Sequence, residues 1–166
     1  MEIAEPERPN GSEAETATAE PMPEVEAAFE EIEVDAPRVG IIMGSVNDKP
    51  KMQPAGEALH EAGIRYEVRV MSAHRDAEKV RAYCHAARMR GLRVIIAGAG
   101  MSAALPGVVA AHTDLPVVGV PLTGTSLGGL DALLSAVQMP PGVPVGCVAI
   151  DGAKNAGLLA ARIINA

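Results

Sequence analysis

Val68-Arg69-Val70-Met71-Ser72-Ala73-His74-Arg75 is an apolar segment that ends at a hydroxyl, an imidazole and a guanidinium. This pattern is typical of a strand that runs into the start of a helix. In a parallel sheet, ligands bind in the crevice beside the carboxyl ends of the strands. We therefore expect Ser72, His74 and Arg75 to lie together at such a crevice.

The side chains at this turn have the chemistry of an anion site with a proton carrier. Arg75 offers a planar fork of donors to a phosphate or a carboxylate, and Ser72 adds a hydroxyl donor. A helix that begins near Asp76 would point its positive end at the same anion. His74 can give and take protons near neutral pH. A plain helix start with polar capping residues and an exposed histidine is the alternative interpretation.

Along the rest of the chain, apolar segments alternate with segments of helical periodicity. The pattern predicts strands at Val39–Met43, Arg65–Met71, Arg93–Ala97, Pro116–Val120 and Val143–Ile150. It predicts helices at Lys49–Ala62, Asp76–Arg90, Pro106–Ala111, Leu130–Val137 and Ala153–Ile164. This order implies an α/β protein, a three-layer α/β/α sandwich with a five-stranded or slightly larger parallel sheet, flavodoxin- or Rossmann-like.

The charge is distributed unevenly along the chain. The net charge is −7, but residues 1–35 alone hold twelve acidic residues and one Arg. We interpret residues 1–37 as a disordered acidic N-terminal tail, because such a composition buries too little apolar surface to offset the entropy of ordering. A short helix over Glu24–Ile32 that docks on a neighbour is the alternative. Residues 38–166 are then the folded catalytic domain, with a mildly basic balance.

The composition disfavours several classes of function. One Phe, two Tyr and no Trp argue against stacking platforms for bases, and the mild basic excess argues against nucleic-acid binding. Cys84 and Cys147 are too few and too distant for a disulfide framework or a thiolate metal site, so we expect thiols in a reducing compartment. His60, His85 and His112 have no ligand spacing, so no metal is expected. Without a long apolar run or a basic leader, we expect a soluble cytoplasmic protein without membrane contact.

Three strand ends are predicted to converge, at Gly44–Asp48, Ser72–Arg75 and Gly98–Leu105. In such a crevice Ser45 can donate hydrogen bonds and Asp48 can accept them from sugar hydroxyls. The third loop carries almost no side-chain bulk, so its backbone can approach a ligand closely. The pattern indicates a ribonucleotide site. A dinucleotide cofactor is disfavoured because the third glycine of its fingerprint is missing, and no Gly-x-Ser-x-Gly elbow supports a serine nucleophile.

Five segments in order carry a family resemblance over Val39 to Ile164. They are Gly40-Ile41-Ile42-Met43-Gly44-Ser45 with Asp48 and Met52, Glu67-Val68-Arg69-Val70-Met71-Ser72-Ala73-His74-Arg75, Val94-Ile95-Ile96-Ala97-Gly98-Ala99-Gly100, Leu105-Pro106-Gly107-Val108-Val109-Ala110-Ala111, and Gly129-Leu130-Asp131-Ala132-Leu133-Leu134 continued by Ser135-Ala136-Val137-Gln138-Met139-Pro140. Together they resemble the N5-carboxyaminoimidazole ribonucleotide mutases, the PurE family.

The resemblance implies an isomerase of de novo purine biosynthesis that needs no metal, ATP or biotin. It would move a carboxyl group from N5 to C4 of the ribonucleotide, through CO2 released and recaptured in a closed pocket. His74 is implied as the catalytic proton carrier, Ser45, Ser72 and Arg75 as phosphate ligands, and Asp48 as the ribose ligand. Further substrate-binding positions are implied at Ala73, Ala99, Gly100, Ser102, Ala103 and Leu105.

The resemblance also implies a homo-octamer with active sites at subunit contacts. Leu130–Val137, the turn that follows it and the terminal helix hold more apolar residues than a free monomer surface comfortably exposes. Burial of these helices within one subunit is the alternative.

Three sites depart from the family pattern and leave alternatives open. Ala104 stands where the mutases usually have a second histidine, Gly124-Thr125 where they have Ser followed by Lys or Arg, and Asn47 where they have a second Ser. The first alternative is a direct aminoimidazole ribonucleotide carboxylase that uses free CO2. The second is a PurE-like carboxylase of another nucleotide or a pyridine. A non-catalytic nucleotide-binding or assembly protein is the third, and it predicts that His74→Asn changes no chemistry.

Overall fold

The computed structural model describes residues 36–124 and 126–166. The strands are β1 Val39–Met43, β2 Tyr66–Val70, β3 Val94–Gly100, β4 Val117–Leu122 and β5 Gly146–Cys147. The helices are α1 Lys49–Glu61, α2 Ala77–Ala87, α3 Leu105–His112, α4 Leu130–Val137 and α5 Ala153–Asn165. Residues 1–35 of the predicted tail, with the alternative helix at Glu24–Ile32, lie outside the described residues.

The five strands form one parallel sheet in the order β2-β1-β3-β4-β5. The chain moves from β1 to β2 on one side and then returns to β3 on the other side of β1. The point where the direction reverses, between β1 and β3, is where open α/β sheets bind ligands. The predicted three-layer, flavodoxin-like α/β/α class is confirmed.

Alternate residues of the strands supply two separate cores. Ile41 and Ile96 point to the face covered by α1 and α5, whereas Ile42 and Ile95 point to the face packed against α2 and α3. Strands buried on both faces read as continuous apolar runs because both sets of side chains are covered. Gly157 of α5 brings the α1 and α5 backbones close, since a Cβ there would lie 2.5 Å from the carbonyl oxygen of Ala55.

The ends of several elements differ from the prediction. Gly98–Gly100, predicted as loop, belongs to β3, because these small residues pair with the end of β4, up to Leu122. The loop before α3 therefore shrinks to residues 101–104. The prediction of a long strand over Val143–Ile150 is wrong, since β5 pairs with β4 only at Gly146 and Cys147. Pro144 has no N–H to donate to a ladder, and β5 is an edge strand.

The edge strand β2 leaves apolar side chains exposed. Tyr66, Val68 and Val70 share one face of the sheet and remain 36–44% exposed, although α1 packs beside Tyr66 at Gly56. Leu130 and Leu134 of α4 are about half exposed. The burial of α4 within one subunit is therefore only partial.

Candidate active site

A cleft of about 650 Å³ opens at the carboxyl ends of β1, β2 and β3. Its volume lies within the range of small-molecule sites. The predicted site residues that line it are Ser45, Asp48, Ser72, Ala73, His74, Arg75, Ala99, Gly100, Ser102 and Leu105. Asn47 and Ala104 line it as well. The topology thus brings together three loops that lie far apart in sequence.

Ser72 organises the turn after β2. Its side chain is buried, and Oγ accepts hydrogen bonds from the amides of His74 and Arg75, both at 3.3 Å. The Ser72 amide donates to a carboxylate oxygen of Asp76 at 3.2 Å, and the Asp76 amide donates back to the Ser72 carbonyl at 2.8 Å. Ser72 Oγ accepts both amides and keeps its own proton to donate to a ligand.

Arg75 links the turn after β2 to the turn after β1. One guanidinium nitrogen donates to the Gly44 carbonyl oxygen at 2.8 Å. The side chain is otherwise exposed at the cleft, so its remaining donors face the space where a ligand would lie. A guanidinium held by a backbone carbonyl is already oriented before an anion binds.

Ser45 and Asp48 close a capping box at the short helical turn that leads into α1. The Ser45 amide donates to Asp48 Oδ2 at 3.0 Å, and Ser45 Oγ accepts the Asn47 amide at 3.2 Å. Burial raises the pKa of Asp48, and the Ser45 bond and the charges of Lys51 and Arg75 offset this only in part. The second carboxylate oxygen of Asp48 has no partner among the described residues and can accept from a hydroxyl group.

His74 stands exposed at the cleft, opposite the short loop that joins β3 to α3. No described residue makes a hydrogen bond to its imidazole, so both ring nitrogens are available to a ligand. In that loop Met101 has a left-handed backbone with φ of 59°. A non-glycine residue in this conformation is uncommon and occurs most often at functional sites.

Three residues that the sequence analysis did not single out form one wall of the cleft. Lys51 donates from Nζ to the carbonyl oxygen of Thr123 at 2.5 Å and also to its Oγ1. The Thr123 amide and hydroxyl donate to the Asp151 carboxylate at 3.0 and 2.6 Å. Lys51 and Thr123 line the cleft directly. Lys51 and Asp151 lie 72 and 28 residues from Thr123 in the sequence, so no local motif predicts these contacts.

One predicted substrate-binding residue does not line the cleft. Ala103 is buried, and its amide already donates to the Met101 carbonyl at 2.9 Å. Ala103 belongs to the loop between β3 and α3 but does not line the cleft, and its amide has no free donor for a ligand. Its role in binding stays a prediction.

The cysteines lie where the sequence predicts. Cys84 is buried in α2 and Cys147 is partly buried in β5, both as free thiols. Burial raises the pKa of Cys84 to about 11 and also raises the pKa of Cys147. Neither thiol lines the cleft, so they belong to the packing rather than to the site.

Two features are absent from the described residues. Within residues 36–124 and 126–166, no three or more His, Cys, Asp or Glu side chains are grouped to hold a metal ion. In the same residues no helix has the length and apolar character needed to cross a membrane.

The chain is similar to known proteins over most of its length. The N5-carboxyaminoimidazole ribonucleotide mutase of Pyrococcus abyssi is 54% identical over 134 residues, which are 81% of this chain and 77% of that protein. The mutase of Mycobacterium tuberculosis is 59% identical over 132 residues, 80% of this chain and 76% of that protein. The crystal structure of Treponema denticola PurE superposes with a TM-score of 0.69 at 35% identity, covering 78% of this chain and 80% of that one. A family model described as AIR carboxylase matches residues 38–166, and the chain therefore belongs to the AIR carboxylase family.

Proposed function

We propose that this chain is an N5-carboxyaminoimidazole ribonucleotide mutase, an isomerase of de novo purine biosynthesis. The observation that carries the proposal is the cleft itself. An unbonded imidazole, an oriented guanidinium and a buried serine hydroxyl share one cleft with the small residues Ala99, Gly100 and Ser102. The names of relatives that are 54–59% identical support the same reaction.

The ligand would be held by its anionic end and its sugar. Arg75, with the hydroxyls of Ser45 and Ser72, would bind the phosphate, because charge-assisted donors suit it. Asp48 would accept from the ribose hydroxyls. The base and the carboxyl group would then lie along Ala99, Gly100 and Ser102, with Ala73 and Leu105 beside them. These roles are assigned from position in the cleft and from the family pattern.

In the proposed reaction one bond from nitrogen to carbon is exchanged for one bond from carbon to carbon. The N5–carboxyl bond breaks as the exocyclic nitrogen takes a proton from His74, which leaves CO2 and an electron-rich aminoimidazole. C4 attacks the carbon of CO2, and the proton on C4 returns to His74. Charge and protons balance, so the chain needs no co-reactant for this sequence. Proximity of the two reactants can contribute ~7–11 kcal/mol to the barrier reduction.

A direct carboxylase is the second candidate because of one position. Ala104 lines the cleft where the family pattern has a histidine, so the pocket has one imidazole fewer for the base or CO2. A carboxylase would start from aminoimidazole ribonucleotide and free CO2 and would form the same product.

The experiment compares the two starting materials in parallel. Formation of 4-carboxyaminoimidazole ribonucleotide is followed by ultraviolet absorbance from N5-carboxyaminoimidazole ribonucleotide at low bicarbonate, and from aminoimidazole ribonucleotide with added CO2. We expect fast conversion only in the first reaction, with loss of about 10²–10⁴ in rate for His74→Asn and unchanged ligand affinity. Conversion only with free CO2 would favour the carboxylase, and an unaffected His74→Asn would remove this residue from the mechanism.

We also propose that the working form is a cytoplasmic homo-octamer built from a catalytic domain of residues 38–166. The exposed apolar faces support an assembly, since Val68 and Val70 on β2 and Leu130 and Leu134 on α4 are 43–53% exposed. Light scattering should return eight subunits, also for a chain that begins at Arg38. A monomer at micromolar concentration would contradict the assembly, and loss of folding in the shortened chain would contradict the domain boundary.

A further inference from the structure

The Lys51–Thr123–Asp151 cluster joins three elements at one wall of the cleft. Lys51 lies on the first turn of α1, Thr123 directly follows β4, and Asp151 lies just before α5. Thr123 is bonded on every polar atom, since its amide and hydroxyl donate to Asp151 while its carbonyl and hydroxyl oxygens accept from Lys51. The Lys51 ammonium is 3.8 Å from Asp151 Oδ1. The three side chains thus act as one unit.

Asp151 adopts an uncommon backbone conformation to take part. Its φ is 54°, and with Met101 it is one of two non-glycine residues in the described chain with a left-handed backbone. Its amide donates to the Pro121 carbonyl at 2.8 Å, so both the backbone and the side chain of Asp151 are hydrogen-bonded to the segment that ends β4. Such a conformation persists where the surroundings over-determine it, and often at functional sites.

The cluster also connects to the proposed ribose ligand. Lys51 follows Asp48 by three residues, so both face the same side of the chain, and the Lys51 charge lies close enough to act on the Asp48 carboxyl. A shift of the wall at Thr123 would therefore move a cation away from the carboxylate that is to accept the sugar hydroxyls.

We propose that Lys51, Thr123 and Asp151 are positioning residues that fix the cleft wall at Thr123 and Gly124 and so set the affinity for the sugar end of the ribonucleotide. This inference rests on the proposed function. In the proposed binding mode the reacting atoms lie beside His74, Ala99 and Gly100, so the three residues act on binding rather than on the chemical step. Lys51 and Asp151 bond different atoms of Thr123, but both are needed to hold this residue in one position, so removing either one frees the same part of the wall.

The test uses the full chain and two variants with matched controls. Asp151→Gly removes the carboxylate and keeps the positive φ without strain, and Lys51→Met removes the ammonium. Lys49→Met, an exposed lysine of the same helix, controls for loss of charge. Thr123→Ser keeps the hydroxyl and is the conservative variant at the third position.

For binding we expect both cluster variants to raise the Kd for aminoimidazole ribonucleotide about tenfold, with kcat within about threefold, because uniform binding is lost. The double variant should also lose about tenfold rather than a hundredfold, because the two residues share one contact. Thr123→Ser and Lys49→Met should bind as the parent does. Asp151→Gly loses its hydrogen bonds to Thr123 but is relieved of the strain of a positive φ, so its urea midpoint should fall only slightly and the protein should stay folded in the binding assay. Unchanged affinity in both cluster variants, or additive losses, would overturn the proposal.

Hydrogen exchange tests the role of the cluster without any substrate. Hydrogen exchange at the Thr123 amide should rise at least about tenfold in Asp151→Gly, because that amide loses its acceptor. If the parent protein neither binds nor converts the ribonucleotide, the proposed function fails while this exchange result still tests the cluster. Unchanged exchange at Thr123 would overturn the inference even in an active enzyme.

Discussion

Ser72→Ala tests whether the turn after β2 is built by one buried hydroxyl. In the parent, Ser72 Oγ accepts the amides of His74 and Arg75, each at 3.3 Å. The substitution leaves both amides without this acceptor, in a residue only 6% exposed. A net hydrogen bond contributes ~0.5–1.5 kcal/mol, and both bonds are long, so we expect a loss of about 1–2 kcal/mol in the free energy of unfolding.

The same substitution should affect binding more strongly than stability. Ser72 is to donate to the phosphate, and a hydrogen bond to a charged group contributes ~1.5–3 kcal/mol, which is roughly a 10- to 150-fold rise in KM. A loosened turn would in addition lower kcat, because His74 loses its fixed position.

The assay combines urea unfolding with steady-state kinetics. Ser135→Ala is the matched control, since that exposed hydroxyl donates within α4 to the Asp131 carbonyl at 2.8 Å, far from the cleft. We expect the control to unfold and turn over as the parent does. If Ser72→Ala unfolded at the same urea concentration and kept its KM, the turn would not depend on this hydroxyl and the assigned phosphate site would be wrong.

Three further outcomes follow from packing and titration. Gly157→Ala should lower the free energy of unfolding by ~1–3 kcal/mol despite the better helix former, because the new Cβ would lie 2.5 Å from the Ala55 carbonyl oxygen; an unchanged urea midpoint would show that the helices separate freely. In the native protein at pH 8, a thiol reagent should leave Cys84 unmodified, since burial raises its pKa to about 11, and rapid labelling there, read by mass spectrometry, would contradict this. Asp48→Asn should stabilise the fold at pH 7 and weaken ribonucleotide binding. Burial raises the pKa of Asp48, so the ionised carboxylate costs stability as the pH rises through that pKa. The difference in unfolding free energy between the variant and the parent should therefore vanish below pH 3.8, the ordinary pKa value. If Asp48→Asn were less stable than the parent at pH 7, the ionised carboxylate would stabilise the fold and the prediction would be wrong.

The sequence predicts the fold well where local patterns carry the information. Apolar runs predict β1 and β4, and the glycines at 63 and 91 predict the ends of α1 and α2, because both adopt a positive φ there. The end of β3 is missed because small residues such as Gly98 and Gly100 look like loop, although across the sheet they pair with β4. The strand β5 is predicted too long because an apolar run cannot show that β4 pairs with only two of its residues.

The candidate site shows the same difference between residues close in sequence and contacts between distant elements. His74, Arg75 and Ser72 follow one strand in a single motif, so their proximity can be predicted from the sequence alone. The contact between Lys51 and Thr123 depends on the packing of α1 beside the end of β4, which no periodicity encodes. Residues that touch across the sheet are visible only once the strand order is known.

The most direct test of the central claim is the fate of a labelled carboxyl group. N5-carboxyaminoimidazole ribonucleotide carrying ¹³C in its carbamate is converted in unlabelled bicarbonate, and the label in the C4 carboxyl of the product is measured by mass spectrometry. A mutase that recaptures CO2 within the cleft should keep most of the label at early times, and His74→Asn should form almost no product. Product that carries unlabelled carbon from the first turnovers would mean that CO2 is taken from solution, and the mutase assignment would be wrong.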